Sequence, residues 1–158
     1  MLNIYHHNNS TYGMDCHIKS TGAPCTGAVY YKSGYVTSGA STGSVVNGRV
    51  YSIVGSAAGA GVLCTDIRSN PFTDCGFTVL DAGAYTAYGM IGKQAISGTK
   101  VYAPVLLGGV AKLLCYDVST SAACGSQPYA LAGLVNVGSV PAFAVAVGGR
   151  VFVTANQV

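Results

Sequence analysis

Val62-Leu63-Cys64-Thr65-Asp66-Ile67-Arg68-Ser69 and Leu113-Leu114-Cys115-Tyr116-Asp117-Val118-Ser119-Thr120 share one pattern over eight positions: two apolar residues, a cysteine, a hydroxyl-bearing residue, an aspartate, a β-branched residue and a polar turn. A degenerate copy, Met14-Asp15-Cys16-His17-Ile18-Lys19-Ser20-Thr21, keeps the cysteine and the Ser-Thr turn but carries Ile18 in place of the aspartate. The leading cysteines Cys16, Cys64 and Cys115 lie 48 and 51 residues apart, and each is followed by a second cysteine, Cys25, Cys75 or Cys124. A period near fifty residues marks a repeat protein in the size range of propeller and array units.

Outward from these segments, a second landmark recurs. Ile4-Tyr5, Val50-Tyr51, Val101-Tyr102 and Val151-Phe152 each set a β-branched residue before an aromatic. From the second copy onward a glycine turn precedes it, in Asn47-Gly48-Arg49, Ser97-Gly98-Thr99-Lys100 and Gly148-Gly149-Arg150. Glycine supplies the positive φ of tight hairpins, and Val45-Val46 and Ala142–Val147 read as the incoming strands. The expected fold is all-β: about three four-stranded propeller-like blades plus one extra strand. The unit boundaries fall near 1–47, 48–97 and 98–148, with a terminal strand at 149–158.

The glycine turn, the aromatic strand and the later Tyr116-Asp117-Val118-Ser119-Thr120 turn resemble kelch-like and quinoprotein-like β-propeller blades. They are most similar to the cysteine-bearing blades of long bacterial extracellular repeat proteins. The resemblance covers almost the whole chain and implies the fold, with no catalytic residue and no cofactor. The chain has no tryptophan, and Cys124 stands about where a kelch blade carries one. Propellers close with four to eight blades, so three blades and a strand are expected to be completed by a longer parent chain or by oligomerisation. In the second case Val151, Phe152, Val153 and Thr154 serve as an assembly strand by strand addition. An open stack of neighbouring units is the third arrangement.

Composition bounds the function. Charged residues make up 8% of the 158-residue chain and the net charge is +3, while half the residues are hydrophobic. Its eight cations, among them Lys19, Lys93 and Arg150, are scattered rather than clustered, which argues against nucleic acid. The uncharged run 118–149 is interrupted by Gln127-Pro128, Asn136, Gly138-Ser139 and Pro141, so no membrane insertion is expected. Met1-Leu2-Asn3-Ile4-Tyr5 has neither a basic start nor an apolar run, and any secretory signal is expected outside this sequence.

Six cysteines allow fifteen connectivities, but a repeat favours the same bond in each unit: Cys16 with Cys25, Cys64 with Cys75, Cys115 with Cys124. Each such loop adds about 2–3 kcal/mol by restricting the unfolded chain. Disulfides place the protein outside the cell or at its surface. Zinc is not expected, because no C-x₂₋₄-C knuckle occurs, and buried reduced cysteines are the remaining reading.

Catalytic chemistry is sparse. His6 and His7 are adjacent on a strand and point to opposite faces; His17 follows Cys16 and could approach them if the first unit folds as a blade, but loop histidines are expected and no metal is assigned. Asn8-Asn9-Ser10-Thr11 holds two overlapping glycan-acceptor patterns that also read as a polar loop. The aspartates are Asp15, Asp66, Asp74, Asp81 and Asp117. Asp66 and Asp117 repeat and are therefore expected to accept backbone hydrogen bonds in turns. Gly39-Ala40-Ser41-Thr42-Gly43 matches G-x-S-x-G, but a strand follows and every histidine lies upstream, so Ser41 is not expected to be a nucleophile. Gly55–Gly61 precedes a strand rather than a helix and lacks a phosphate loop's context. Of eleven tyrosines, Tyr30, Tyr31, Tyr35, Tyr85, Tyr88 and Tyr129 lie outside the repeated strand position and are candidates for a sugar- or protein-binding surface. The expected function is a noncatalytic secreted or cell-surface module, structural or adhesive, whose partner is a protein or glycan surface ligand or the chain itself. The alternatives are a self-assembling filament subunit, or part of a larger propeller enzyme acting on carbohydrate or peptide. The Gly, Ala, Ser and Thr loops at 37–43 and 119–123 favour the scaffold.

Overall fold

A computed structural model describes residues 2–8, 11–36, 43–86, 90–135 and 143–154. The chain is all-β, with fourteen strands among these residues: β1 (Leu2–Asn8), β2 (Thr11–His17), β3 (Pro24–Ser33), β4 (Ser44–Val46), β5 (Arg49–Gly55), β6 (Gly59–Asp66), β7 (Thr73–Ala82), β8 (Ala95–Ser97), β9 (Lys100–Leu107), β10 (Val110–Asp117), β11 (Ala122–Ala123), β12 (Tyr129–Val135), β13 (Phe143–Val147) and β14 (Arg150–Thr154). They form four antiparallel sheets in chain order: β1-β2-β3, then β4-β5-β6-β7, then β8-β9-β10 with β11 and β12 both on β10, then β13-β14. Only the second sheet has the expected four strands, and the described residues make several small sheets rather than a closed barrel or ring.

Two-residue turns fix the register of the hairpins. Asn47 and Gly48 have φ of 50° and 71°, and Gly148 and Gly149 have 57° and 74°, so both central residues of each turn are left-handed. That handedness matches the twist of the flanking strands. A third such turn, Gly108-Gly109, joins β9 to β10. Each sheet begins with the strand before its turn: β4 pairs with β5 and β8 with β9. The structural units therefore start one strand earlier than the glycine turns that separate the sequence units at 47/48 and 97/98.

Packing is face to face. In β5, Val50 and Val54 join Tyr12 and Met14 of the first sheet in one core, whereas Tyr51 and Ile53 join Val101, Ala103, Val105, Leu114 and Tyr116 of the third in another. The period-2 alternation of a strand thus buries both faces of the second sheet. On the first side Tyr12 donates or accepts a 2.9 Å hydrogen bond with Ser52, and burial pushes the Tyr12 phenol well above the ordinary tyrosine range. On the second, Tyr85 donates to Asp81 at 2.6 Å and Lys112 of β10 donates to the same carboxylate oxygen at 2.7 Å, tying the third sheet to the second. Burial first, then the Asp81 contact, raises the Tyr85 phenol. The fourth sheet meets the third through buried Ala144, whose N–H donates to the Lys93 carbonyl at 3.0 Å.

The first strand of the middle sheets is split. Val36 and Gly55 exchange backbone hydrogen bonds at 2.8 and 2.9 Å, Ser44–Val46 pair with the other end of β5, and β5 is left with unpaired polar groups between. Gln94, from the equivalent break in the third sheet, fills the gap. Its carbonyl accepts from Ile53 N–H at 2.9 Å, and its amide donates to the Tyr51 carbonyl at 2.9 Å and to Ser44 Oγ at 2.8 Å. Gly55 is required beside this break, since a Cβ there would overlap the Tyr85 carbonyl oxygen and lie 2.8 Å from Tyr85 Cβ.

The first copy departs from the landmark alignment. Tyr51 and Tyr102 sit opposite Cys64 and Cys115, but Leu2 sits opposite Cys16, and Tyr5 lies opposite Gly13. Ile4-Tyr5 is therefore out of register with Val50-Tyr51. Segment 118–149 includes β11, β12 and β13, and no helix among the described residues is long and apolar enough to cross a membrane.

Gln94→Ala removes the partners of the buried Tyr51 carbonyl and Ile53 N–H. It should cost about 1–3 kcal/mol, read as a lower urea midpoint at unchanged slope; an unchanged midpoint would show that water replaces the amide.

Candidate functional site

The three expected cysteine pairs are disulfides, each joining neighbouring segments of one sheet: Cys16–Cys25 from β2 to β3, Cys64–Cys75 from β6 to β7, and Cys115–Cys124 from β10 to the residue after β11. Their Cα separations of 5.3, 5.0 and 5.4 Å fall in the usual bridging range. No described cysteine is free. Intramolecular disulfides of this number are typical of extracellular proteins.

Beside the second disulfide, the seam between the second and third sheets opens into a cleft of about 200 Å³. Its floor is Tyr51, Val62 and Tyr116, with the tyrosine rings 6.1 Å apart and tilted by 33°. Arg49, Thr78 and Ser121 stand around it, and Ser121 holds a left-handed backbone at φ 53°. Such a conformation is uncommon for a residue other than glycine.

Arg49 belongs to a three-residue charge cluster. Arg68 Nε donates to Asp66 Oδ1 at 2.9 Å and to Oδ2 at 3.2 Å, and a second nitrogen of the same guanidinium also pairs with Oδ2. Arg49 Nε reaches that carboxylate only at 3.5 Å. The Arg68 guanidinium and its backbone N–H hold the Asp66 carboxyl far below the ordinary carboxylate range. The Arg68 stem crosses Gly48, where a Cβ would lie 2.7 Å from Cδ, so a larger residue in the turn would displace the Arg68 side chain.

The repeated aspartates act as turn acceptors, as their repetition suggested. Asp66 Oδ1 accepts from Arg68 N–H at 3.0 Å, and Asp117 Oδ1 accepts from Ser119 N–H at 2.9 Å and from its hydroxyl at 2.6 Å. The Ser119 hydroxyl, then its N–H, depress the Asp117 carboxyl. In the same turns Ile67 N–H donates to the Gly48 carbonyl at 3.0 Å and Val118 N–H to the Thr99 carbonyl at 2.8 Å, anchoring each turn to the hairpin beside it. Asp74 is pushed up by burial but more strongly down by Lys32 and by the Gly76 N–H. Lys32 also lies 5.2 Å from the Tyr35 ring centroid, and Tyr35 packs edge-on against Phe77 at 4.9 Å.

The histidines do not converge among the described side chains. His17 Nδ1 lies 3.0 Å from the Gly22 carbonyl and Nε2 lies 3.3 Å from Asp15, and the Gly22 contact first, then Asp15, raises its pKa. His6 and His7 are placed on β1 by backbone only. Asn9, Ser10, Ser41 with most of its G-x-S-x-G match, and Tyr88 lie outside the described residues. Gly55–Gly61 is the β5–β6 hairpin, closed by the Ser56 hydroxyl on the Gly59 carbonyl at 2.9 Å. Among the other tyrosines, burial pushes Tyr30 up to about 12, and Tyr31 is half exposed. Tyr129 donates to the Gly125 carbonyl at 3.0 Å. Tyr116 and Arg49, which make the cleft, were not singled out from the sequence as binding residues.

Carboxylates with folded pKa values below their unfolded values stabilise the fold above about pH 4, and that contribution disappears as the pH falls through the depressed values. The melting temperature should therefore be flat from about pH 6 to 5 and decline below about 4. Asp66→Asn should make that decline shallower by removing the Arg68 charge pair; an unaltered acid profile would refute the assignment.

No protein family, no curated protein and no solved structure matches this chain.

Proposed function

We propose that the protein is a noncatalytic secreted or cell-surface module that acts as a structural and adhesive element, presenting seams between stapled β-sheets to a surface ligand. The observation that carries this reading is the repeated disulfide, one in each of three successive sheets. It supports a protein held in shape outside the reducing cytoplasm. Support also comes from the cleft at the second seam, which offers a guanidinium, hydroxyls and tyrosines without a nucleophile paired to a base. The likeness to bacterial extracellular blades points the same way and rests on the sequence motifs. Beads coated with the oxidised chain should be retained on glycan- or matrix-coated surfaces, and beads carrying reduced, alkylated chain should not. Retention no greater than that of albumin-coated beads would overturn the reading.

A second reading, self-assembly, is favoured by the fourth sheet. Val145 pairs with Phe152, and these residues with Val147 are 42%, 53% and 61% exposed, whereas Val151 and Val153 are half-buried. A contiguous exposed apolar face of this kind invites association. Sedimentation should then show concentration-dependent species that Phe152→Asp abolishes; a monomer at every concentration of the unsubstituted chain would end this reading.

A further inference from the structure

We propose that the cleft between the second and third sheets binds the carboxylated ring of an acidic sugar, with Arg49 taking the carboxylate. This rests on the adhesive reading and specifies the ligand of its seam.

Local charge comes first. Asp66 is shared by Arg49 and Arg68, two cations to one anion, and Arg68 holds it the more closely. No residue lining the cleft is acidic. Arg49 spends one donor, its Nε, on a 3.5 Å contact, and its side chain is 44% exposed at the cleft. Its planar fork is the geometry that takes a carboxylate in two parallel hydrogen bonds.

The cleft also breaks the repeat. The residue after the repeated cysteine is Thr65 in the second sheet and Tyr116 in the third, and the residue opening the aromatic strand is Arg49 in one and Lys100 in the other. Residues that repeat, such as Asp66 and Asp117, serve the turns. Tyr116 differs from its counterpart Thr65, and Arg49, which is Lys100 in the third sheet and recurs as Arg150 in the fourth, joins it at the one seam where a guanidinium and a pair of tyrosine rings line the same cleft among the described residues.

The remaining groups select a sugar over a bare anion. Thr78 and Ser121 hydroxyls can each donate and accept, as neighbouring ring hydroxyls require. Tyr51 and Tyr116, each 6% exposed, close the bottom of the cleft beneath these hydroxyls. Ser121 keeps its left-handed conformation at the rim, the kind of local strain that recurs at binding sites. At about 200 Å³, the volume is below the roughly 300–1,000 Å³ of drug-sized pockets. It therefore suits one ring, with the rest of a glycan leaving through the open side where Arg49 and Ser121 meet solvent.

The test uses the intact oxidised chain and three probes: methyl glucuronide, methyl glucoside and acetate, followed by isothermal titration and by the NMR signals of the Arg49 guanidinium and the Tyr116 ring. The glucuronide should bind saturably and move both signals, with the glucoside and acetate at least about tenfold weaker. Arg49→Lys retains the charge but loses the fork and should weaken glucuronide about tenfold at an unchanged melting temperature. Ser121→Ala should weaken it less. Equal binding of acetate would reduce the site to a general anion site, and equal binding of the glucoside would remove Arg49 from recognition; either overturns the proposal, as does absence of saturation by glucuronide. Bead retention that survives without glucuronide binding would sink this proposal alone, whereas glucuronide binding without retention would sink the adhesive reading.

Discussion

Burial of both faces of the second sheet is the constraint on which the structure depends. Along β5 the side chains alternate between two cores, Val50, Ser52 and Val54 toward the first sheet and Tyr51 and Ile53 toward the third. A strand flanked on both sides has no solvent face on which to place charge, which is why a chain with 8% charged residues folds this way. Close approach follows too. A Cβ on Gly61 would lie 2.9 Å from Phe77 Cζ, so the inner strands use glycine where a neighbour crowds the backbone.

With so few charges, each aspartate has a structural task. Asp66 and Asp117 organise equivalent turns, Asp74 caps the backbone of Gly76, Asp15 orients His17, and Asp81 joins Tyr85 to Lys112 across a seam. The last is the costliest to build, because its carboxylate side chain is only 11% exposed and must be compensated by both partners. Arg49 differs from the other paired cations because its acidic neighbour is already held by a stronger partner.

The parts of the fold legible in the sequence were those governed by short-range chemistry. Glycine at the hairpins, the cysteine spacing and the Asp-Ser-Thr turn each report a local conformation, and all three are found where the pattern put them. Long-range pairing was less legible. Ile4-Tyr5 has the composition of Val50-Tyr51, yet β1 pairs with β2 so that Tyr5 opposes Gly13, because a two-residue difference in spacing to the cysteine is invisible to a motif. Gln94 gave no signal at all, since an amide that completes another sheet's strand looks like any polar loop residue. The cleft was hidden for a related reason: Arg49 and Tyr116 are 67 positions apart in the chain and meet only through the packing of two sheets.

The disulfides staple strands within sheets, and none crosses from one sheet to the next. Under tension applied along the chain, the residues enclosed by each bond carry no load, because force passes through the sulfur bridge and bypasses them. The seams are held differently, by packing and by single side-chain contacts such as Tyr12–Ser52, Lys32–Asp74, Gln94 and the Lys112–Asp81 pair. The oxidised protein therefore holds three short loops at fixed length while the rest of the chain can be drawn out, and reduction would lengthen it under the same load.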